Sequence, residues 1–239
     1  MQKLNPNLYT PVAIVVAGII VAGAILVIGH QGGTTTATTA TTQQPSTTAN
    51  INSNSVKSNG DPVVGSANAP LTIVYWFDYQ CPFCKQNEQT VMPQLLKDYV
   101  DTGKVKIIYK DFSFLGTDSD TLGHYGRAVW AVAPDKFEAW HEAVYTNQGE
   151  ENTGWATPAE IQKITASVLT AAQTAQVVQL ATTNAKQYQS VMDADKQEGM
   201  QDGVQGTPAF LIGNQWIAGA ESYAQVKQTI DQQLAATSK

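Results

Sequence analysis

Two cysteines occur in 239 residues, and they stand three apart in Asp78-Tyr79-Gln80-Cys81-Pro82-Phe83-Cys84-Lys85. A pair at this spacing can close a disulfide and exchange it with other thiols, supply half of a metal site, or simply fill a core as small apolar residues. A closed zinc site needs four ligands, and the chain has no second Cys-x-x-Cys and no His-x-x-x-His to complete one. Redox exchange is therefore the leading reading, with the metal and core readings as alternatives.

The flanking residues say how the pair is positioned. Leu71-Thr-Ile-Val-Tyr-Trp-Phe77 is an unbroken apolar and β-branched run, the pattern of a buried strand. The stretch from Pro82 to Val100 has the character of a helix, with Pro82 in the first turn, where a missing N–H is harmless, and Pro93 expected to kink it after Met92. With a further strand, Lys104 to Lys110, these form a βαβ unit. Cys81 then sits where a strand passes into a helix N-terminus, and the unpaired N–H groups and macrodipole there favour its thiolate. That stabilisation, about 0.3 to 2 kcal/mol at 1.36 kcal/mol per pKa unit, lowers the thiol by up to about one and a half units.

A second stretch, Gly203-Val-Gln-Gly206-Thr207-Pro208-Ala-Phe-Leu-Ile212, sets a proline directly before a short apolar strand. It continues through a Gly213-Asn214 turn, a second short strand from Gln215 to Ala218, and a closing helix from about Ser222. On residues alone Pro208 is an ordinary turn proline; a cis bond to Thr207 would instead present the Thr207 backbone to a visiting chain.

Taken together these stretches resemble the thioredoxin superfamily, and within it the DsbA-like, BdbD-like branch of extracytoplasmic thiol-disulfide oxidoreductases. The resemblance rests on Ala69-Pro70-Leu-Thr-Ile-Val, Phe77-Asp78-Tyr79-Gln-Cys81-Pro82-Phe-Cys84 and Gly206-Thr207-Pro208-Ala-Phe, with weaker similarity in Lys136-Phe-Glu-Ala-Trp140-His141 and Tyr145-Thr-Asn147-Gln148. It implies an α/β thioredoxin-like fold with a helical insertion, Cys81 as the attacking cysteine, Cys84 as the resolving one, and Thr207-Pro208 as a cis-proline loop beside them, with Pro82 and Phe83 completing the site. It implies no cofactor beyond the redox-active disulfide and no metal. Two departures bear on the direction of the reaction. Strong oxidants of this type carry His next to the resolving cysteine, where this chain has Phe83, and relatives tend to carry a buried acid six residues before the first cysteine, where this chain has Tyr75.

The remaining chain fits around that centre. Residues 1–10 form a short cytoplasmic terminus carrying one charge, Lys3, and residues 11–29 hold none, enough at about 1.5 Å per residue to cross most of a ~30 Å hydrocarbon core. The stretch is longer than a usual signal-peptide core and no clean cleavage site follows it, so a retained signal-anchor is favoured over a cleaved leader. The absence of Lys and Arg from 31 to 56 places the following chain outside the cell membrane. Residues 30–60, rich in Thr, Ser, Asn, Gln and Gly, have the composition of a disordered tether. Residues 61–239 suffice for one domain, helical between about 115 and 200, where Pro134 opens a helix and Thr157-Pro158-Ala-Glu160 has capping-box spacing. A net charge of −6 argues against a nucleic-acid partner.

Asp78, three before Cys81, is either a proton relay or a surface or capping carboxylate. Trp76, Tyr79 and Phe83 either floor a peptide groove or belong to the core. His124 and His141 are read as packed or polar helix residues, since no motif calls for either. The expected function is a membrane-tethered, extracytoplasmic enzyme that introduces disulfides into exported proteins, recharged, as the resemblance suggests, by a quinone-linked membrane oxidase of the DsbB or VKOR kind. The alternatives are a reductase or isomerase using the same pair, and a non-enzymatic module binding a soft metal or an unfolded client.

Overall fold

Leu71–Phe77 forms a strand, β2, in which every residue is buried. The reason is that β2 is central and covered on both faces, so the usual alternation disappears. Ile73, Tyr75 and Phe77 point into the larger core with Tyr109 and Phe210, while Val74 and Trp76 point into a smaller one with Phe112, Val204, Ala209 and Leu211. Each fully buried aliphatic side chain here contributes roughly 1.5–3 kcal/mol.

The computed structural model describes residues 51–237. β1 is Val63–Gly65, β3 Val105–Asp111, β4 Ala209–Ile212 and β5 Gln215–Ala218. The sheet order is β1-β3-β2-β4-β5; β2 and β3 are parallel, and β1, β4 and β5 pair antiparallel to their neighbours. The parallel pair requires a crossover, supplied by α1, Pro82–Thr90, α2, Met92–Leu95, and a wide final turn, Leu96–Val100. The expected kink at Pro93 is a break one position earlier, at Val91, which leaves Pro93 in the first turn of α2, where it needs no donor.

Between β3 and β4 the chain is helical: α3 Thr117–Val132, α4 Phe137–Thr146, α5 Pro158–Val168, α6 Ala171–Thr183 and α7 Ala185–Asp202. Thr157 caps α5 through its hydroxyl, but Glu160 bonds Lys163 and does not return the bond, so the box expected there is half made. A complete box forms instead at Thr170 and Gln173, heading α6. The closing helix, α8, spans Tyr223–Thr237.

α7 lies so close to the sheet that a Cβ on Gly199 would stand 2.8 Å from Trp76 Nε1. Gly203, at φ 97°, ends α7 in the left-handed conformation that glycine adopts without penalty. The insertion is tied to the sheet by buried charges: Lys110 of β3 pairs with Asp61, Asp195 and Glu198, and Arg127 of α3 with Asp61, Asp111 and Asp195.

The tether expected over residues 30–60 is corrected at its C-terminal end. Ser53 is buried; its hydroxyl donates to the Thr72 carbonyl at 2.6 Å and accepts from Gly213 N at 2.8 Å, and Asn54 accepts from Thr72 N at 2.7 Å. Ile51 and Val56 pack on the smaller core. Polar composition misleads here because these side chains satisfy backbone groups of the sheet and are not left to water. The expected N-terminal segment 1–10, the expected membrane-spanning stretch 11–29 and tether residues 30–50 lie outside the described residues, among which no helix is long and apolar enough to cross a membrane.

Candidate active site

β2 delivers Cys81 to the N-cap of α1, with φ −69° and ψ 120° and Pro82 immediately after it. The Cys81 N–H donates to the Asp78 carbonyl at 3.0 Å, and the Cys81 carbonyl accepts from Lys85 N at 3.1 Å, so the turn is closed from both sides. The Thr207–Pro208 peptide is cis. Its loop, 126 residues along the chain, lies against the cysteine, with Cys81 Sγ 3.3 Å from the Thr207 carbonyl oxygen. Cys81, Cys84, Thr207 and Pro208 are thus brought to one place. Both cysteines are reduced; Cys84 is fully buried, and beside Cys81 the Phe83 ring is 57% exposed.

The two sulfurs are driven apart in acidity. Cys81 is lowered to about 6, first by the hydrogen bond from Cys84, then, against a cost from burial, by Thr207 and the N–H groups of Cys84 and Phe83. The Thr207 hydroxyl is buried with no hydrogen-bond partner of its own, and the Thr207 side chain favours the ionised sulfur. The fall exceeds the one and a half units or so available from a helix terminus alone, because the neighbouring thiol donates as well. Cys84 is pushed well up, first by burial and then by Cys81. One sulfur is a nucleophile and good leaving group at neutral pH, and the other is a thiol held in reserve.

Asp78 is buried and acts as an anchor for the loops. One of its oxygens accepts from Gln80 N and the Ser119 hydroxyl, the other from Phe114 N and Leu115 N. Its carboxylate, with all four contacts to backbone or hydroxyl donors, performs the capping role of those expected, and it is the backbone of Asp78 that acts on the Cys84 sulfur. Gln148 was legible only as part of the weaker similarity, yet its side chain donates to the carbonyls of Tyr79, at 2.8 Å, and Cys81, at 3.1 Å. Tyr145 donates to the Asp78 carbonyl at 3.0 Å. The helical insertion therefore holds the redox turn by its backbone. Trp76 and Tyr79, weighed as a groove floor, are core residues, and Phe83 alone of the three faces outward.

A family model described as thioredoxin matches residues 57–232. The chain belongs to that family. Among curated proteins it is 27% identical over 175 residues to "Disulfide bond formation protein D" of Bacillus subtilis, covering 73% of this chain and 78% of that one. The crystal structure of oxidised BdbD from Bacillus subtilis matches with a TM-score of 0.67 at 27% identity, over 74% of this chain and 94% of that one. The catalytic domain of Proteus mirabilis ScsC matches at 0.60 and 26% identity, over 74% and 90%. This thioredoxin-family chain is a DsbA-like protein thiol-disulfide oxidoreductase that works through a cysteine pair, without an external cofactor; among the described residues no cluster of His, Cys, Asp or Glu is arranged to hold a metal.

Behind the redox turn the structure places a buried carboxylate on α1. Tyr75 stands at the position where the resemblance led one to expect an acid, and Glu88, one turn beyond Cys84 on α1, is 3% exposed. His141 of α4, wholly buried and not merely a polar helix residue, places Nε2 3.2 Å from Glu88 Oε1 and Nδ1 3.1 Å from the Tyr79 hydroxyl. His124, by contrast, meets only Gln189 at 3.0 Å and stands apart from the site. The signal for Glu88 was its i+4 spacing from Cys84, which puts both on one helix face.

Proposed function

We propose that this enzyme works outside the cytoplasm, tethered to the membrane by residues 11–29, and oxidises thiols of exported proteins. The observation that carries the reading is the Cys81 sulfur, 3.3 Å from the Thr207 carbonyl oxygen of the cis-proline loop and lowered in pKa to about 6, with Cys84 buried behind it. A substrate thiolate attacks Cys81 Sγ of the Cys81–Cys84 disulfide, and Cys84 leaves with the electron pair and takes up a proton. A second substrate thiolate then attacks the substrate sulfur of the mixed disulfide, Cys81 leaves as a thiolate, and the substrate has lost two electrons. The lowered pKa of Cys81 favours that departure. The reduced pair is recharged by a partner at the membrane, for which a quinone-linked oxidase of the DsbB or VKOR kind is the candidate. The charge-free stretch 11–29 and the positions of the first basic residues support the tether and its orientation.

Direction is decided by the potential of the pair. Thioredoxin has a nucleophilic thiol near 7 and a potential of about −270 mV, and DsbA has about 3.5 and about −120 mV. Stepping one pKa unit from thioredoxin, at about 30 mV per unit or at the roughly 43 mV per unit that separates the two proteins, a Cys81 thiol near 6 corresponds to about −240 to −225 mV. Equilibration with glutathione, followed by mass analysis of the trapped thiols, is expected to give a value in that range. A potential at or below about −270 mV would make the chain a reductase.

A further inference from the structure

The redox turn, residues 78–81, follows β2 and precedes α1 and belongs to neither, so its polar groups must find partners outside a ladder or a helix. Cys81 N closes the turn on the Asp78 carbonyl. The other donors come from one short stretch at the end of α4 and just beyond it: the Tyr145 hydroxyl to the Asp78 carbonyl, Gln148 Nε2 to the Tyr79 and Cys81 carbonyls, and Asn152 N to Gln80 Oε1 at 2.9 Å.

Gln148 holds the turn in a way the other two do not. Its two bonds, 2.8 and 3.1 Å long, bracket the peptide units that enter Gln80 and leave Cys81, so one side chain fixes the backbone on both sides of the step into the cysteine. The nitrogen has two hydrogens, one for each carbonyl, and the amide oxygen could serve neither. Gln148 is itself held. Its N–H donates to the Tyr145 carbonyl at 3.3 Å, and its carbonyl accepts from Lys85 Nζ at 3.2 Å. The chain just beyond is tightly packed, since a Cβ on Gly149 would stand 2.7 Å from Trp155 Cγ.

The orientation of that peptide decides what the sulfur meets. Pro82 has no N–H to offer, so the first N–H groups of α1 are those of Phe83 and Cys84, and both act on Cys81. The causes that lower Cys81 are hydrogen bonds, first that from Cys84 and then those of Thr207 and the two N–H groups. Hydrogen bonds weaken with angle as well as distance, so they last only while the turn keeps its shape. The charged groups nearby are engaged elsewhere: the Asp78 carboxylate on Gln80 N, Ser119, Phe114 N and Leu115 N, and the Lys85 ammonium on the Gln148 carbonyl.

We propose that Gln148 is a positioning residue for the reaction, an amide clamp from the helical insertion that aims the Cys81 sulfur at the start of α1. It touches neither sulfur and acts through the backbone of the turn. The insertion thereby sets how reactive the pair is, in addition to covering it.

This role rests on the thiol-exchange reading, and the test keeps the two apart. Reduced full-length protein is alkylated with iodoacetamide across a range of pH, the Cys81 adduct is counted by mass, and a melting temperature is recorded for each variant. Gln148→Met keeps the length of the arm and loses both donors. Its Cys81 midpoint is expected to rise from about 6 by about half a unit to one unit, so that alkylation at about pH 5 slows about three- to tenfold. Gln148→Asn keeps the amide but is one methylene too short to reach both carbonyls; it is expected to give the same rise, and it serves in place of the methionine variant should that one not fold. Tyr145→Phe removes a bond to the same turn from the same stretch, yet leaves the Cys81 carbonyl held, and its midpoint is expected to stay within about 0.3 units of wild type. A wild-type midpoint in Gln148→Met or Gln148→Asn, whatever happens to the melting temperature, would make Gln148 a structural anchor only and overturn the proposal. An equal rise in Tyr145→Phe would mean general loosening of the turn and would overturn it as well. If wild-type Cys81 itself titrates like an ordinary thiol, at about 8.5, the exchange reading fails first and the clamp has nothing to aim.

Discussion

Cys81→Ser is expected to lower dithiol exchange by at least about a thousandfold, to the level of the uncatalysed reaction. Serine matches the cysteine in shape, but its hydroxyl does not ionise near neutral pH and does not form a bond that a thiolate can exchange. The groups that lower Cys81 to about 6 would then act on an atom that cannot use them. Cys84→Ser should behave differently. Attack at Cys81 survives, resolution is lost, and mixed disulfides with substrate accumulate in non-reducing gels. An insulin-reduction assay read alongside those gels distinguishes the roles, and a Cys81→Ser protein retaining more than about a tenth of wild-type activity would refute the assignment.

The second large effect falls on stability. Asp78→Ala removes one carboxylate that accepts from Gln80 N at 2.8 Å, Ser119 Oγ at 2.6 Å, Phe114 N at 2.9 Å and Leu115 N at 3.1 Å. Bonds to a charged acceptor contribute about 1.5–3 kcal/mol each, and they overlap when one group makes them all, so a loss of about 3–5 kcal/mol is expected. For a domain of this size that lowers the melting temperature by about 10 °C or more. Asp78→Asn, keeping one good acceptor, should fall between. Calorimetry or a urea midpoint measures the loss. If Asp78 were a proton relay, the alanine variant would keep its stability and change its pH profile instead.

How far the sequence spoke depended on whether the deciding interaction was local. The run from Leu71 to Phe77 is unmistakable because both faces of β2 are buried, and no tertiary detail is needed to see it. Cys81 at a helix start follows from strand, proline and helix in succession. The meeting of Cys81 with Thr207 spans 126 residues and has no local signature; only resemblance anticipated it. Asp78 was ambiguous for the same reason, since Phe114, Leu115 and Ser119 reach it from a later loop. Glu88 drew no reading from the sequence, although it stands one turn beyond Cys84, and His141 was read only as a packed or polar helix residue. Their pairing across α1 and α4 was not visible. Residues 51–56 show composition failing: a polar segment can be ordered when its hydroxyls and amides serve the backbone of a sheet.

The account depends on the folded protein making Cys81 a stronger acid than an ordinary thiol. Because its folded value lies below the unfolded one, it stabilises the reduced fold fully above about pH 8.5, and this is lost as pH falls through about 6. The direct test is the ultraviolet thiolate absorbance of reduced protein, followed through a pH titration with Cys84→Ser as a check on which sulfur titrates. The wild type should show one thiolate forming with a midpoint about 6 and no second until strongly alkaline pH, and in Cys84→Ser one thiolate should still form well below the ordinary thiol range, since Cys81 is the sulfur that titrates. A wild-type midpoint at the ordinary thiol value of about 8.5 would contradict the account.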